Sequence, residues 1–270
     1  MELQAVRFLV EDRIAWIILN RPHRLNAWTG RMHLEYRHCI ARAESDDDVR
    51  VIVVTGEGRG FCAGADAKAL EKQADRRGYD DGVTEPPPTP GYGVRPDFDH
   101  PFAFHFGLRK PTIAAMNGAT AGVGLVLACF CDLRFAAKDA KITAAHGRLG
   151  LPVEFGLSWL LPKIVGLTHA MDLLLTSRVI TGEEAQRIGL VSEAVEPQNL
   201  RDRVREYAAE LAHHVSPASL AATKRQVYDD LFKSLDESMR TSTRMLDEMM
   251  GGPDFAEGVR ALLDKRRPEF

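Results

Sequence analysis

Hydrophobic and polar positions divide the chain into strand-like runs, each followed by a helix-like stretch. VRFLV (6–10) and IAWIILN (14–20) are two β-rich runs joined by the polar turn EDR, the pattern of a hairpin. Met32, Leu34, Tyr36, Ile40 and Ala43 recur at mixed helical spacing over 30–44, and Asp46–Asp48 end that helix. VRVIVVTG (49–56) is a continuous branched run, which predicts a strand covered on both faces. A charged helix is expected around 66–77. Residues 78–100 are rich in Pro, Gly and Asp. Periodic signals resume on both sides of them, so they predict a mobile loop within a domain rather than a linker.

PTIAAMNG (111–118) predicts the next strand, GATAGVGLVLACF runs into a helix, and CDLRFAA (131–137) predicts a third buried strand. A short strand is expected at 190–195. Thr181 with Glu184 predicts a capping box, Gly189 a helix stop, and Ser216-Pro217 an N-cap with proline at the first helical position. SLDESMRTSTRMLDEMM and FAEGVRALLDKRR predict two more helices. Strands separated by helices, followed by helices alone, give an α/β fold with a helical C-terminal extension. The division expected is a core over 1–195, with the loop 78–100 inserted, and a helical region over 196–270.

Composition narrows the function classes. The 270 residues carry 35 Lys and Arg against 38 Asp and Glu, a net charge of -3. That balance gives no general attraction to nucleic acid, and no basic stripe stands out. No apolar run approaches the roughly 20 residues a bilayer requires. The start, MELQAVRFLVEDR, lacks the basic and apolar pattern of a signal peptide. Cys39, Cys62, Cys129 and Cys131 form no CxxC pair and have no metal spacing with histidine. They predict reduced thiols, and the expected location is cytoplasmic.

The candidate chemistry lies in two glycine-rich turns. GRGFCA (58–63) fits a loose G-x-G-x-x-A after a strand and before a helix, the context of a dinucleotide site. Such a site needs a second strand ending in an acid about 20 residues on, where this chain has proline-rich loop. A tight strand–helix turn explains the same glycines. NGATAGVG (117–124) also joins a strand to a helix. Two helix starts with small residues expose unpaired N–H groups, and two such donors aimed at one point would hold an oxyanion. A thioester carbonyl turning into an enolate requires that arrangement.

NRPHRLNAW, TGEGRGFCAGADAKAL, KPTIAAMNGATAGVGLVLACFCDLRFAA, GLPVEFGLSWLLPKIVG, VITGEEAQRIGLVSEAV and FAEGVRALLDKRRPEF follow one another over nearly the whole chain. Together they resemble the enoyl-CoA hydratase/isomerase, or crotonase, family. The resemblance implies a crotonase-like spiral of repeated ββα units with a C-terminal helical trimerisation region. It also implies an acyl-CoA thioester substrate, no permanently bound cofactor, coenzyme A entering as part of the substrate, and a homotrimer or dimer of trimers.

Carried onto this sequence, the resemblance makes the amides of Ala65 and Val123 the oxyanion donors. Val123 stands where the family has the middle glycine of a GGG run. Val126 and His146 occupy the positions of the two glutamates that hydratases of the family use, so neither expected carboxylate is present. Glu154, between Val153 and Phe155, falls where certain enoyl-CoA isomerases place their catalytic acid. An apolar setting raises a carboxyl pKa, and one such group can shuttle a proton between carbons. His146 either relays with Glu154 or lines the pocket. Arg24, Ala63, Asp66, Lys68, Gly122 and Lys265, or Arg266 beside it, are the expected substrate and CoA contacts. Asp66 also reads as a simple helix cap, and the basic residues as solvated charge. Double-bond isomerisation is the favoured reading. Hydration of a 2-enoyl-CoA and acyl-CoA binding without catalysis are the alternatives.

Overall fold

The computed structural model describes residues 1–76, 82–83, 86–89 and 98–270. β1 (Val6–Glu11) and β2 (Ile14–Leu19) form the expected antiparallel hairpin, with Asp12 and Arg13 turning the chain at positive φ. β2 is buried along its whole length because both faces of the sheet are covered, which is why its sequence does not alternate. α1 (Gly30–Ser45) starts at Thr29, whose hydroxyl accepts from the Met32 N–H.

Three pairs of strands follow, and each pair is split between two sheets. They are β3 (Val51–Gly56) and β4 (Gly60–Cys62), followed by α2 (Ala67–Arg76); β5 (Thr112–Met116) and β6 (Ala119–Ala121), followed by α3 (Val123–Phe130); and β7 (Leu133–Ala137) and β8 (Ile142–Thr143), followed by α4 (Leu157–Thr176). α5 (Gly182–Arg187) and β9 (Glu193–Val195) complete the core. The larger sheet has the order β1-β2-β3-β5-β7-β9 and the smaller one β4-β6-β8; every pairing after β1–β2 is parallel. Each repeat therefore adds one strand to each sheet, which is the expected spiral of ββα units.

The C-terminal region comprises α6 (Leu200–His214), α7 (Pro217–Asp230), α8 (Leu235–Met250) and α9 (Pro253–Asp264). α6 packs across β2, β3, β5 and β7. α7 is tied to the core by Asp132, which accepts from the Thr112 N–H and hydroxyl, the Lys224 Nζ at 2.7 Å and the Tyr228 hydroxyl at 2.8 Å. α8 has no buried residue, and Leu235, Met239, Leu246 and Met250 on it are exposed, as are Leu262 and Leu263 on α9.

Several expectations shift by a few residues, for identifiable reasons. The strand expected from 131 begins at Leu133, because the Cys131 N–H closes α3 onto Leu127 and Ala128. The strand expected from 190 begins at Glu193, because the Leu190 N–H turns back to Ala185. The Thr181–Glu184 capping box is half made: Thr181 accepts from the Glu184 N–H, but the Glu184 carboxylate pairs with Arg178. The complete box is Ser234–Glu237. All four cysteines are free and buried. Much of the loop expected over 78–100 lies outside the described residues. Of its described part, the Pro88 carbonyl accepts from Arg37 and Phe98 is buried in the core.

His105 is fully buried in a 3-10 turn, Ala103–Gly107. Its Nδ1 faces the Phe102 carbonyl at 2.6 Å and its Nε2 the Tyr36 hydroxyl at 2.6 Å. A carbonyl only accepts, so Nδ1 carries the proton and Nε2 accepts from Tyr36. Burial pushes the His105 pKa down from 6.5 to about 3. The unfolded chain therefore takes up this proton first as pH falls. The neutral pair supports the fold fully above pH 6.5, and its contribution is lost between there and about 3, by up to about 1.4 kcal/mol per pH unit. Urea denaturation across this range should show a steeper loss for the native chain than for a Tyr36→Phe/His105→Phe double variant. Equal slopes would refute the assignment.

Candidate active site

The two glycine-rich turns meet through their backbones. Gly64 has φ +106°, and a Cβ on it would lie 3.4 Å from the Ala121 carbonyl oxygen. Gly122 has φ +49° and ψ -118°, and its Cβ would lie 4.0 Å from the Gly64 Cα. A Cβ on Gly124 would fall 2.1 Å from the Cys62 carbonyl oxygen, which no side chain tolerates. The small residues at 60–65 and 118–124 thus permit two chain segments to touch. Ala65 forms a bridge with Trp28, in which the Trp28 N–H donates to Gly64 and the Asp66 N–H to Trp28. That pairing leaves the Ala65 N–H unused. Val123 is the first residue of α3, so its N–H has no intrahelical acceptor. Among the described residues, neither amide has a hydrogen-bond acceptor.

Two asparagines fix the first turn, and the sequence reading gave neither a role. Asn26 is fully buried at φ +57°, donates to the Gly60 and Glu57 carbonyls and accepts from the Arg21 N–H. Asn117 accepts from the Gly56 N–H and donates to the Gly58 carbonyl. Their available signal was local: Asn tolerates the left-handed region, and its amide both donates and accepts.

Glu154 sits in the segment between a 3-10 turn, His146–Leu149, and α4. Phe155 and Gly156, both at positive φ, reverse the chain directly after it. The side chain is half-buried, and among the described residues its carboxylate has no hydrogen-bond or ion-pair partner. Burial pushes its pKa above the ordinary 4.5, and neighbouring His146 draws it part of the way back. His146 is 8% exposed, and Val126 is buried within α3 and offers no titratable group. The structure thus brings Glu154 and His146 into electrostatic reach of one another. A cavity of about 430 Å³ adjoins this segment, with Phe155 and Gly156 in its wall. Its other side includes Phe102, whose ring packs 5.5 Å from Trp28, the residue bridged to Ala65.

The remaining expected contacts divide into committed and open groups. Asp66 accepts from the Lys68 N–H and pairs with Arg21 at 2.8 Å. Burial alone would raise its pKa, but the Arg21 hydrogen bond and charge and the Lys68 N–H bring it below 3.8. The helix-cap reading therefore fits its contacts. Arg24 and Lys68 are exposed, Arg24 in the 3-10 turn Pro22–Arg24 and Lys68 in the first turn of α2; Ala63 and Gly122 are partly exposed. Lys265 is exposed at the end of α9, and no hydrogen bond or ion pair among the described residues ties its side chain to the others. Arg266 is held by Glu257. Among the described residues no group of three His, Cys, Asp or Glu could hold a metal ion.

Comparison with known proteins gives consistent findings. A family profile described as enoyl-CoA hydratase/isomerase matches residues 10–270. The chain is similar to a 1,2-epoxyphenylacetyl-CoA isomerase of Escherichia coli (strain K12), at 34% identity over 97% of this chain and 96% of that protein. It is similar to an (E)-benzylidenesuccinyl-CoA hydratase of Thauera aromatica, at 33% identity over 97% and 96%. Among solved structures it resembles an enoyl-CoA hydratase subunit from Geobacillus kaustophilus HTA426, with TM-score 0.85, 30% identity, and coverage of 100% and 99%.

Gly124→Ala should force the two turns apart and cost about 1–3 kcal/mol of stability by chemical denaturation. Gly258 lies inside α9 with nothing within 4 Å of its would-be Cβ. Gly258→Ala should instead gain up to about 1 kcal/mol. Equal effects of the two changes would show that the approach of the turns is not what requires Gly124.

Proposed function

The chain belongs to the enoyl-CoA hydratase/isomerase family, and from that premise we propose that it moves a double bond in an acyl-CoA thioester, converting a 3-enoyl to a 2-enoyl ester. Two relatives of nearly equal identity carry an isomerase and a hydratase name, so the choice rests on residues of this chain. The observation that carries it is Glu154, a half-buried carboxylate with a raised pKa and no partner among the described residues, directly before Phe155 and Gly156 in the wall of a cavity.

In this reading the Glu154 carboxylate removes a proton from C2 of the substrate. The C–H electron pair moves into the thioester, and the negative charge collects on its oxygen, where the Ala65 and Val123 N–H groups hold it. The neutral Glu154 carboxyl then returns the proton to C4, leaving the double bond between C2 and C3. A carboxyl with a raised pKa suits both halves, since its two protonation states lie closer in energy near neutral pH. Hydration would need a second acid–base group. The buried apolar Val126 cannot supply one, which leaves His146 as the group that a hydratase reading requires.

Coenzyme A enters as part of the substrate, with Arg24, Lys68 and Lys265 as exposed cations for its phosphates. The apolar faces of α8 and α9 border a groove of about 930 Å³ and support assembly as a homotrimer or a dimer of trimers.

Glu154→Gln should lower kcat by about 10²–10⁴-fold while a saturated acyl-CoA still binds. The acid limb of kcat/KM for the native enzyme should lie above 4.5, because the carboxylate is the active form and burial raises its pKa. Full activity of Glu154→Gln would refute the assignment. Incubation of 3-enoyl- and 2-enoyl-CoA in deuterated water separates the reactions: deuterium at C4 or C2 with a shifted double bond supports isomerisation, and gain of one water supports hydration. Binding without turnover of either ester would support the non-catalytic alternative. Val123→Pro keeps a residue tolerated at the first helical position but removes its N–H. It should lower kcat by about 10²–10³-fold.

A further inference from the structure

The cavity beside Glu154 has a particular chemistry. Among the described residues its lining is mostly aromatic, and His100 is the one titratable side chain in it. Phe102, Phe106 and Phe130 in its inner wall are buried to within a few per cent. Their rings are fixed in orientation. Phe102 stands edge-on to Phe155, at 5.3 Å and 80°, and its carbonyl is held by His105. Phe106 stacks on Tyr228 at 3.9 Å, and the Tyr228 hydroxyl is anchored on Asp132. At the rim, Trp159 stacks on Phe232 at 5.7 Å and 14°, with Lys163 Nζ 3.9 Å from the Trp159 ring centroid.

We infer that this cavity receives an aryl ring at the distal end of the acyl group, so that the preferred substrates are phenyl-bearing acyl-CoA thioesters. The inference rests on the acyl-CoA reading above and adds the substrate class. An apolar cavity of roughly 150 Å³ is enough to take benzene. About 430 Å³ holds a ring together with the methylenes that connect it to the thioester. Aromatic walls with ring edges and faces already fixed attract another ring through their quadrupoles, which an alkyl chain cannot match. Because the walls are packed in place before binding, little side-chain freedom is lost when a ring enters. The absence of acids and amines from the described lining favours a neutral ring. The cavity is joined to the candidate site by sequence at Glu154–Phe155 and by packing through Phe102 and Trp28 to Ala65. Phe102 and Phe155 are therefore assigned as specificity-determining residues.

The test is equilibrium binding of two saturated thioesters with equal numbers of acyl carbons, 4-phenylbutanoyl-CoA and decanoyl-CoA, by calorimetry on the intact protein. Buried apolar area alone favours the decanoyl chain, so the reverse order reports ring recognition. The expected result is at least about tenfold tighter binding of the phenyl ester. Phe155→Leu and Phe102→Leu should each bring the ratio to within about threefold while leaving the affinity for coenzyme A itself unchanged. If Phe102→Leu does not fold, Phe155→Leu and Trp159→Leu at the rim carry the same comparison. Equal or tighter binding of decanoyl-CoA overturns the aryl assignment and leaves the reaction proposal standing, since neither ester needs Glu154 to bind. Failure of both esters to bind overturns the acyl-CoA reading and this inference with it.

Discussion

Two chain segments 62 residues apart touch where Gly124 faces the Cys62 carbonyl, and the geometry of the site follows from that contact. α3 can start beside β4 only because nothing projects from Gly124, and the amide of Val123 is set by where α3 starts. The same closeness places the small sheet β4-β6-β8 in register, one strand from each turn of the spiral. Parallel strands contributed by separate repeats have no hairpin to align them. Here the alignment comes from backbone contact, with Asn26 and Asn117 satisfying the carbonyls that the tight turn leaves facing inward.

Charge is organised around the same economy. Glu35 accepts from the N–H groups of Gln4, Ala5 and Val6 and from Arg31. Glu44 holds Arg109, and Asp132 takes Thr112, Lys224 and Tyr228 together. Buried carboxylates satisfied in this way are structural, because removing any partner leaves a charge without compensation. Glu154 differs in having no such partner among the described residues, and burial raises its pKa. A carboxylate kept half out of water and left uncommitted costs stability, and groups of that kind are concentrated at sites of chemistry.

Much of this was legible in the sequence, and the limits have physical causes. β2, β3 and β5 announce themselves because a strand buried on both faces needs an unbroken apolar run. β4, β6 and β8 are two or three residues long, too short for any period to register, and β4 and β6 fall within the two small-residue turns. The proposed oxyanion pair could be suspected from two glycine-rich helix starts, but Glu154 became a candidate only through family resemblance, since one glutamate in an apolar stretch has no periodicity of its own. The aromatic cavity was not foreseen at all. Its walls come from residues between Phe98 and Phe232, and only the folded chain brings them to one place. Asn26 was visible as part of a motif, yet its work is done by a side-chain amide reaching 34 positions along the chain.

α7 has two working sides. Lys224 and Tyr228 face inward to Asp132, and Tyr228 backs the ring of Phe106 in the cavity wall. Ala218, Ala222 and Gln226 on the same helix border the apolar groove shared with α8 and α9. One helix thus separates the chamber proposed to choose a substrate from the face proposed to meet another subunit. A lineage drifting toward a new quaternary arrangement would carry its ligand preferences along with it. A breeder of altered selectivity would likewise have to treat the outer helices as part of the chamber.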